Sequence, residues 1–107
     1  MQHITAPELA TWLRDQAKNP PLLLDVREPW EHQTCHIPQV VLMPMQTVTS
    51  RFQELDPDAA IVCICHHGAR SMQVANYLER SGFTQVINLT GGVHAWAQQV
   101  DNTMPTY

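Results

Sequence analysis

Residues 60–71 constrain the fold of this chain more than any other stretch. Residues 61–64 form an apolar, β-branched run typical of a buried strand, Cys65 ends it, a short loop with Gly68 follows, and helical spacing begins at Ser71. Cys65 therefore stands where a buried strand passes to the N-terminus of a helix. The free N–H groups and the dipole of a helix N-terminus favour negative charge, and the thiolate is the reactive form of cysteine. We predict that Cys65 is a nucleophile.

Strand and helix patterns alternate along the whole chain. Four largely apolar runs predict strands at residues 22–26, 40–43, 61–64 and 86–89. Helical segments lie between these runs, and this alternation favours a parallel α/β sheet with helices on both faces. Ligands bind beyond the carboxyl ends of the strands in such sheets, so Asp25 and Cys65 are expected to converge.

Length and charge limit the classes of protein to which the chain belongs. Its 107 residues predict one domain over residues 1–100, followed by a loose tail over residues 101–107 that shows no periodicity. The net charge of −4, from six basic and ten acidic residues, argues against nucleic acid as a partner. The longest apolar run, residues 59–65, is too short to span a bilayer, and residues 1–5 do not resemble a signal peptide. We therefore expect a cytoplasmic protein with no membrane partner.

The loop after Cys65 has the composition of an anion-binding turn. Gly68 permits the dihedral angles that direct several backbone N–H groups inward, while Arg70, His66 and His67 add positive charge. These groups are expected to favour the thiolate of Cys65. The alternative is that Cys65 only packs at the end of a buried strand, a common place for cysteine. The cationic loop disfavours that alternative.

The remaining cysteines and histidines are interpreted as structural. Three cysteines cannot all pair, and their spacing matches no disulfide framework, which fits a reducing compartment; Cys63, inside the apolar run, is expected in the core. A metal site built from Cys63, Cys65, His66 and His67 would need a second, distant pair of ligands. We therefore expect no metal and no cofactor, and we interpret His94 as a surface or packing residue.

Asp25 and Arg27 lie two residues apart at the end of the first long apolar run. Asp25 has two compatible roles. It can accept hydrogen bonds from the Cys65 loop or pair with a loop arginine, and it can cap the turn that begins at Glu28. Both roles are structural rather than catalytic.

Several motifs, taken in order, resemble those of the rhodanese-like domains. They are Leu-Asp-Val-Arg-Glu-Pro-Trp-Glu at residues 24–31, His-Ile-Pro at 36–38, Ile-Val-Cys-Ile-Cys-His-His-Gly-Ala-Arg-Ser at 61–71, Gly-Phe at 82–83 and Leu-Thr-Gly-Gly-Val-His-Ala-Trp at 89–96. The resemblance covers nearly the whole chain. Two positions depart from the family pattern: Cys35 replaces the usual small residue before His-Ile-Pro, and Gln39 replaces the usual glycine after it.

The resemblance implies a five-stranded parallel sheet flanked by helices and a sulfurtransferase that works through an enzyme persulfide. Cys65 would accept a sulfane sulfur from a small donor such as thiosulfate and pass it to cyanide or a thiol, or to an acceptor protein. By the same resemblance, the persulfide-binding loop comprises His66, His67, Gly68, Ala69, Arg70 and Ser71. Asp25 and Arg27 match the pair that supports the site.

Two other functions compete with this interpretation. Phosphatases of the same fold carry five residues between cysteine and arginine, whereas Cys65 and Arg70 enclose four, which suits a sulfur atom better than a phosphate. A persulfide carrier or partner-binding module without thiosulfate turnover is the second alternative. The presence of Cys65 argues against an inert module, because inert modules typically lack the cysteine.

Overall fold

A computed structural model describes residues 1–107 as a parallel sheet with helices on both faces. The strands are β1 (Gln2–Ile4), β2 (Leu22–Asp25), β3 (Val41–Leu42), β4 (Ala60–Ile64) and β5 (Gln85–Leu89). The helices are α1 (Ala6–Arg14), α2 (Pro29–Thr34), α3 (Val48–Arg51), α4 (Ala69–Arg80) and α5 (Gly92–Gln99), with short 3-10 turns at Met45–Thr47 and Phe52–Glu54. No helix combines the length and the apolar character needed to cross a membrane.

The five strands are all parallel and lie in the order β1-β5-β4-β2-β3. The central strand β4 pairs with β2 on one side and β5 on the other, so that Cys63 lies between Leu24 and Asn88. This register brings the carboxyl ends of β2, β4 and β5 to one edge of the sheet. The predicted α/β fold is therefore confirmed, and the loop after β4 lies between the loops that follow its neighbours.

Alternating side chains of the sheet build a separate core on each face. On one face Leu24, Ile61 and Val86 pack against α3 and α4. On the other face Val62 and Ile87 pack, together with further apolar strand residues, against α1 and α5. Each buried strand thus supplies both cores, which explains why its sequence is continuously apolar rather than alternating.

Local sequence signals set the start of α1 but do not reveal the strand before it. Thr5 followed three residues later by Glu8 predicts a capping box at the start of a helix. The structure confirms it, because the Glu8 backbone N–H donates to Thr5 Oγ1 at 3.3 Å and the Thr5 N–H donates to Glu8 Oε1 at 2.9 Å. Strand β1 has only three residues, two of them exposed, and no apolar run announces it. It forms because its backbone pairs with the edge of β5.

The N-terminus of α5 is held directly against the loop that follows β4. The Val93 N–H donates to the Cys65 carbonyl at 2.9 Å, and the His94 N–H donates to the His66 carbonyl at 3.1 Å. Gly92 makes this approach possible, because a Cβ at its position would overlap both carbonyl oxygens, and its φ is +59°. The helix and the loop are therefore locked together by backbone contacts that only glycine permits.

We expect Gly92→Ala to destabilise the protein by about 3 kcal/mol or more, because left-handed backbone strain and steric overlap act together. Gly82→Ala is the matched control: its φ is +100°, but nothing lies within 4 Å of the added Cβ. It should cost only about 1–2 kcal/mol, the strain alone. Urea unfolding measures both free energies. Equal losses in the two variants would show that α5 does not depend on this close approach.

Candidate active site

Cys65 lies buried at the carboxyl end of β4, with 1% of its surface exposed. The Gly68 N–H donates to Cys65 Sγ at 3.0 Å, and the φ of +107° at Gly68 allows the loop to turn back over the sulfur. The sequence predicts that several backbone N–H groups point inward here. In the structure, one of them, the N–H of Gly68, donates to Cys65 Sγ. Helix α4 begins at Ala69, two residues before the predicted start, so Cys65 faces its first turn.

A buried polar chain reaches the sulfur from β5. Ser71 Oγ lies 3.3 Å from Cys65 Sγ and 2.5 Å from Asn88 Oδ1, and both Ser71 and Asn88 are buried. A serine hydroxyl has one proton, so it can donate to the amide oxygen or to the sulfur but not to both at once. Sequence reasoning missed Asn88. A polar residue inside the apolar run 86–89 is the signal that would have found it.

Asp25 and Arg27 form a buried bidentate ion pair. Arg27 Nε donates to Asp25 Oδ1 at 2.8 Å and Nη2 to Oδ2 at 2.7 Å; both side chains are fully buried. Burial opposes both charges, but the hydrogen bonds outweigh it, so the pKa of Asp25 is lowered and that of Arg27 is raised. Asp25 therefore pairs with Arg27, its near neighbour, and accepts no hydrogen bond from the Cys65 loop.

The remaining contacts of this pair hold the loop after β2. Arg27 Nη2 donates to the Cys35 carbonyl at 2.7 Å, and His32 Nδ1 lies 3.0 Å from Asp25 Oδ2. Cys35, one of the departures from the family pattern, is buried. Gln39, the other, adopts a φ of +71°, the left-handed conformation for which the usual glycine is suited.

A second ion pair joins this loop to the loop of Cys65. Arg70 Nη1 and Nη2 donate to Glu31 Oε1 and Oε2 at 2.7 and 2.8 Å. The hydrogen bonds from Arg70 lower the pKa of Glu31 to about 2, although burial opposes the shift. No sequence pattern points to Glu31, because it lies 39 positions from Arg70 and its buried position follows from the fold.

Tyr107 reaches both ion pairs, although the sequence predicts a loose tail over residues 101–107. Its hydroxyl donates to Glu31 Oε2 at 2.7 Å and accepts from Arg27 Nη1 at 3.0 Å, and its ring stacks on His66 with centroids 3.9 Å apart. Burial raises the pKa of Tyr107 to about 12, so the hydroxyl keeps its proton. Side-chain contacts of this kind need no helix or strand, so no periodic pattern predicts them.

Three histidines gather beside the Cys65 loop. His66 is half-buried, His67 is exposed, and His94 comes from α5; each offers a ring nitrogen within 4.8 Å of the others. Nδ1 of His94 is buried and has no hydrogen-bond partner. Burial and then His67 lower the pKa of His66. His94, interpreted from the sequence as a surface or packing residue, therefore lies in a histidine cluster that the fold assembles.

Cys65 is distinguished from Cys63 by its surroundings. Cys63 lies in the core between β2 and β5, where burial raises the pKa of its thiol to about 12, and the nearby Cys65 adds to the shift. Of the two cysteines, only Cys65 has hydrogen bonds with the Gly68 amide and the Ser71 hydroxyl. The structure thus separates a packing cysteine from one with hydrogen-bonding partners at a loop.

Comparison with known proteins supports the same family as the motifs. The family model described as "Rhodanese-like domain" matches residues 8–99. A sulfurtransferase of Allochromatium vinosum is 40% identical over 77 residues, which is 72% of this chain and 72% of that protein. The thiosulfate sulfurtransferase GlpE of Pseudomonas syringae is 36% identical over 90 residues, covering 84% of this chain and 82% of GlpE.

Solved structures agree with the fold. A rhodanese-like domain protein of Staphylococcus aureus superposes with a TM-score of 0.85 at 31% identity, covering 100% of this chain and 99% of that one. Some relatives are longer proteins, and this chain spans 30% of the length of one and 43% of another. The matched unit is therefore found both nearly alone and within larger chains.

We expect Glu31→Gln to destabilise the protein at pH 7 by about 1–3 kcal/mol, because it breaks a largely buried ion pair. The pKa of Glu31 is about 2 when folded and 4.5 ordinarily, so the carboxylate stabilises the fold above pH 4.5. That stabilisation is lost as the pH falls towards 2. The difference between wild type and variant in urea unfolding should shrink over the same interval.

Glu54→Gln is the control for this experiment. Glu54 pairs with Arg51 in the same bidentate manner, but on the surface and three residues away. Exposed pairs of this kind contribute little, so its removal should leave the unfolding curve almost unchanged. If Glu31→Gln behaves like Glu54→Gln at pH 7, the Glu31–Arg70 pair does not hold the two loops together.

Proposed function

The chain belongs to the rhodanese-like domain family, and from this membership and the surroundings of Cys65 we propose that it is a sulfurtransferase. In this proposal, a sulfane sulfur moves from a small donor such as thiosulfate to cyanide or a thiol through a persulfide on Cys65. The relatives named sulfurtransferase and thiosulfate sulfurtransferase support the reaction class. We assign the activity to one domain over residues 1–100. Tyr107 lies outside this range, but its ring stacks on His66 in the loop that follows Cys65.

The observation that carries the proposal is the contact set of Cys65 Sγ. The sulfur lies at the carboxyl edge of a parallel sheet, where ligands of such folds bind, and it accepts a hydrogen bond from the Gly68 amide. A fixed N–H donor stabilises negative charge on the thiolate before transfer and on the persulfide after it. The Ser71 hydroxyl, 3.3 Å away, provides a second polar contact.

The reaction is a double displacement. The Cys65 thiolate attacks the outer sulfur of thiosulfate, the sulfur–sulfur bond of the donor breaks, and sulfite leaves with the bonding electron pair. Cyanide then attacks the outer sulfur of the persulfide and leaves as thiocyanate, which restores the thiolate. Neither step requires an external oxidant or reductant, and neither requires a metal or cofactor.

We assign positioning and electrostatic roles to the other predicted site residues, which form no bond to the transferred sulfur. Arg70 is held by Glu31 through both terminal nitrogens, and it brings positive charge to the loop that receives an anionic donor. His66 and His67 are part of the same loop. Asp25 and Arg27 hold the loop after β2, which lies beside the Cys65 loop, and neither makes a hydrogen bond to Cys65.

A persulfide carrier that delivers sulfur to an acceptor protein is the second candidate. One of the longer relatives is named a putative sulfur carrier protein, and this chain is 39% identical to it over 79 residues. A carrier would form the same persulfide but release it only to its protein partner. Three unpaired cysteines fit a reducing compartment, so we retain the cytoplasm as the proposed location.

We expect thiosulfate to add the mass of one sulfur atom to the intact protein, because the Cys65 thiolate retains the transferred sulfur. Cyanide should remove it. Intact-mass spectrometry checks both steps. Cys65→Ser should gain no sulfur, whereas Cys63→Ala should still gain it, since Cys63 is a core residue.

The persulfide proposal fails if wild type gains no sulfur at any thiosulfate concentration, or if Cys65→Ser gains as much as wild type. Sulfur that is gained but not released to cyanide would favour the carrier over the enzyme.

A further inference from the structure

We propose that His66, His67 and His94 form a binding site for one divalent d-block metal ion such as Zn²⁺. The three rings come from two elements: two lie in the loop after β4, and the third lies on α5. Two of the three histidines belong to the loop that follows Cys65, but the reacting sulfur is not a ligand in the proposed set, and the proposal does not depend on sulfur transfer.

The separations suit a three-imidazole site. One ring nitrogen of each residue lies within 4.8 Å of the other two. Tetrahedral Zn²⁺ with Zn–N bonds of about 2.0–2.1 Å needs nitrogens roughly 3.3 Å apart. His67 is exposed and packs against the rings of both His66 and His94, so a change of its rotamer can shorten its separation from the other two nitrogens.

The backbone already fixes the two elements that would share the ion. The His94 N–H donates to the His66 carbonyl at 3.1 Å, and the adjacent Val93 N–H donates to the Cys65 carbonyl. The ring of Tyr107 stacks on His66 and restricts its orientation. Little conformational entropy remains to be lost on binding, which favours affinity.

The donor set indicates the class of ion. The cluster contains three imidazoles and no carboxylate, which suits Zn²⁺, Co²⁺, Ni²⁺ or Cu²⁺ and not the oxygen-seeking Ca²⁺ or Mg²⁺. Nδ1 of His94 is the one buried side-chain nitrogen or oxygen without a hydrogen-bond partner. This unpartnered nitrogen belongs to the residue that the fold brings to His66 and His67. Three protein ligands leave a fourth position open, as in catalytic zinc sites.

The test is calorimetric titration of the full chain with ZnCl₂, together with the visible absorption spectrum after addition of CoCl₂. Wild type should bind one ion per chain. His94→Gln and His67→Gln should each bind at least about tenfold more weakly and lose the Co²⁺ absorption of a tetrahedral site. His67 is exposed, so its replacement is safe for folding.

Two controls identify the ligands. His3→Gln removes an exposed histidine outside the cluster and should bind as wild type. Cys65→Ser should also bind as wild type, because the sulfur is not a ligand in the proposed set. The proposal is overturned if wild type binds no Zn²⁺, if His94→Gln and His67→Gln bind as tightly as wild type, or if Cys65→Ser abolishes binding.

Discussion

Two backbone hydrogen bonds, from Val93 to the Cys65 carbonyl and from His94 to the His66 carbonyl, hold the arrangement on which the site depends. They fasten the N-terminus of α5 to the loop after the central strand, and Gly92 is the residue that lets the two backbones meet. The parallel sheet places that loop at the edge where β2 and β5 also end. Main-chain hydrogen bonds to α5 thus hold Cys65 and the start of its loop in place.

Two ion pairs connect the Cys65 loop, through the loop after β2, to the sheet. The Asp25–Arg27 pair holds that loop to the sheet, and the Glu31–Arg70 pair joins it to the Cys65 loop. Buried ion pairs lose solvation as they gain attraction, so their main effect is to fix orientation rather than to add much free energy. The Tyr107 hydroxyl bonds to Arg27 and Glu31 and so connects the two pairs.

The sequence predicts what depends on local pattern. The apolar run before Cys65, the capping box at Thr5 and the strand–helix alternation all appear in the structure as expected. The rest depends on contacts between distant residues. Strand β1 forms only against β5, and Glu31, Asn88 and His94 acquire their partners through the fold. No periodic pattern in the sequence encodes such pairings. The same holds for Tyr107, which contacts Arg27 and Glu31 from a segment without helix or strand.

In the proposed reaction, Cys65 takes the sulfur before any acceptor is present. Rapid mixing of the protein with thiosulfate alone, followed by measurement of sulfite, tests it most directly. A double displacement on Cys65 predicts a rapid release of one sulfite per chain, which then stops until cyanide is added. Sulfite release that begins only after cyanide is added would contradict a Cys65 persulfide intermediate.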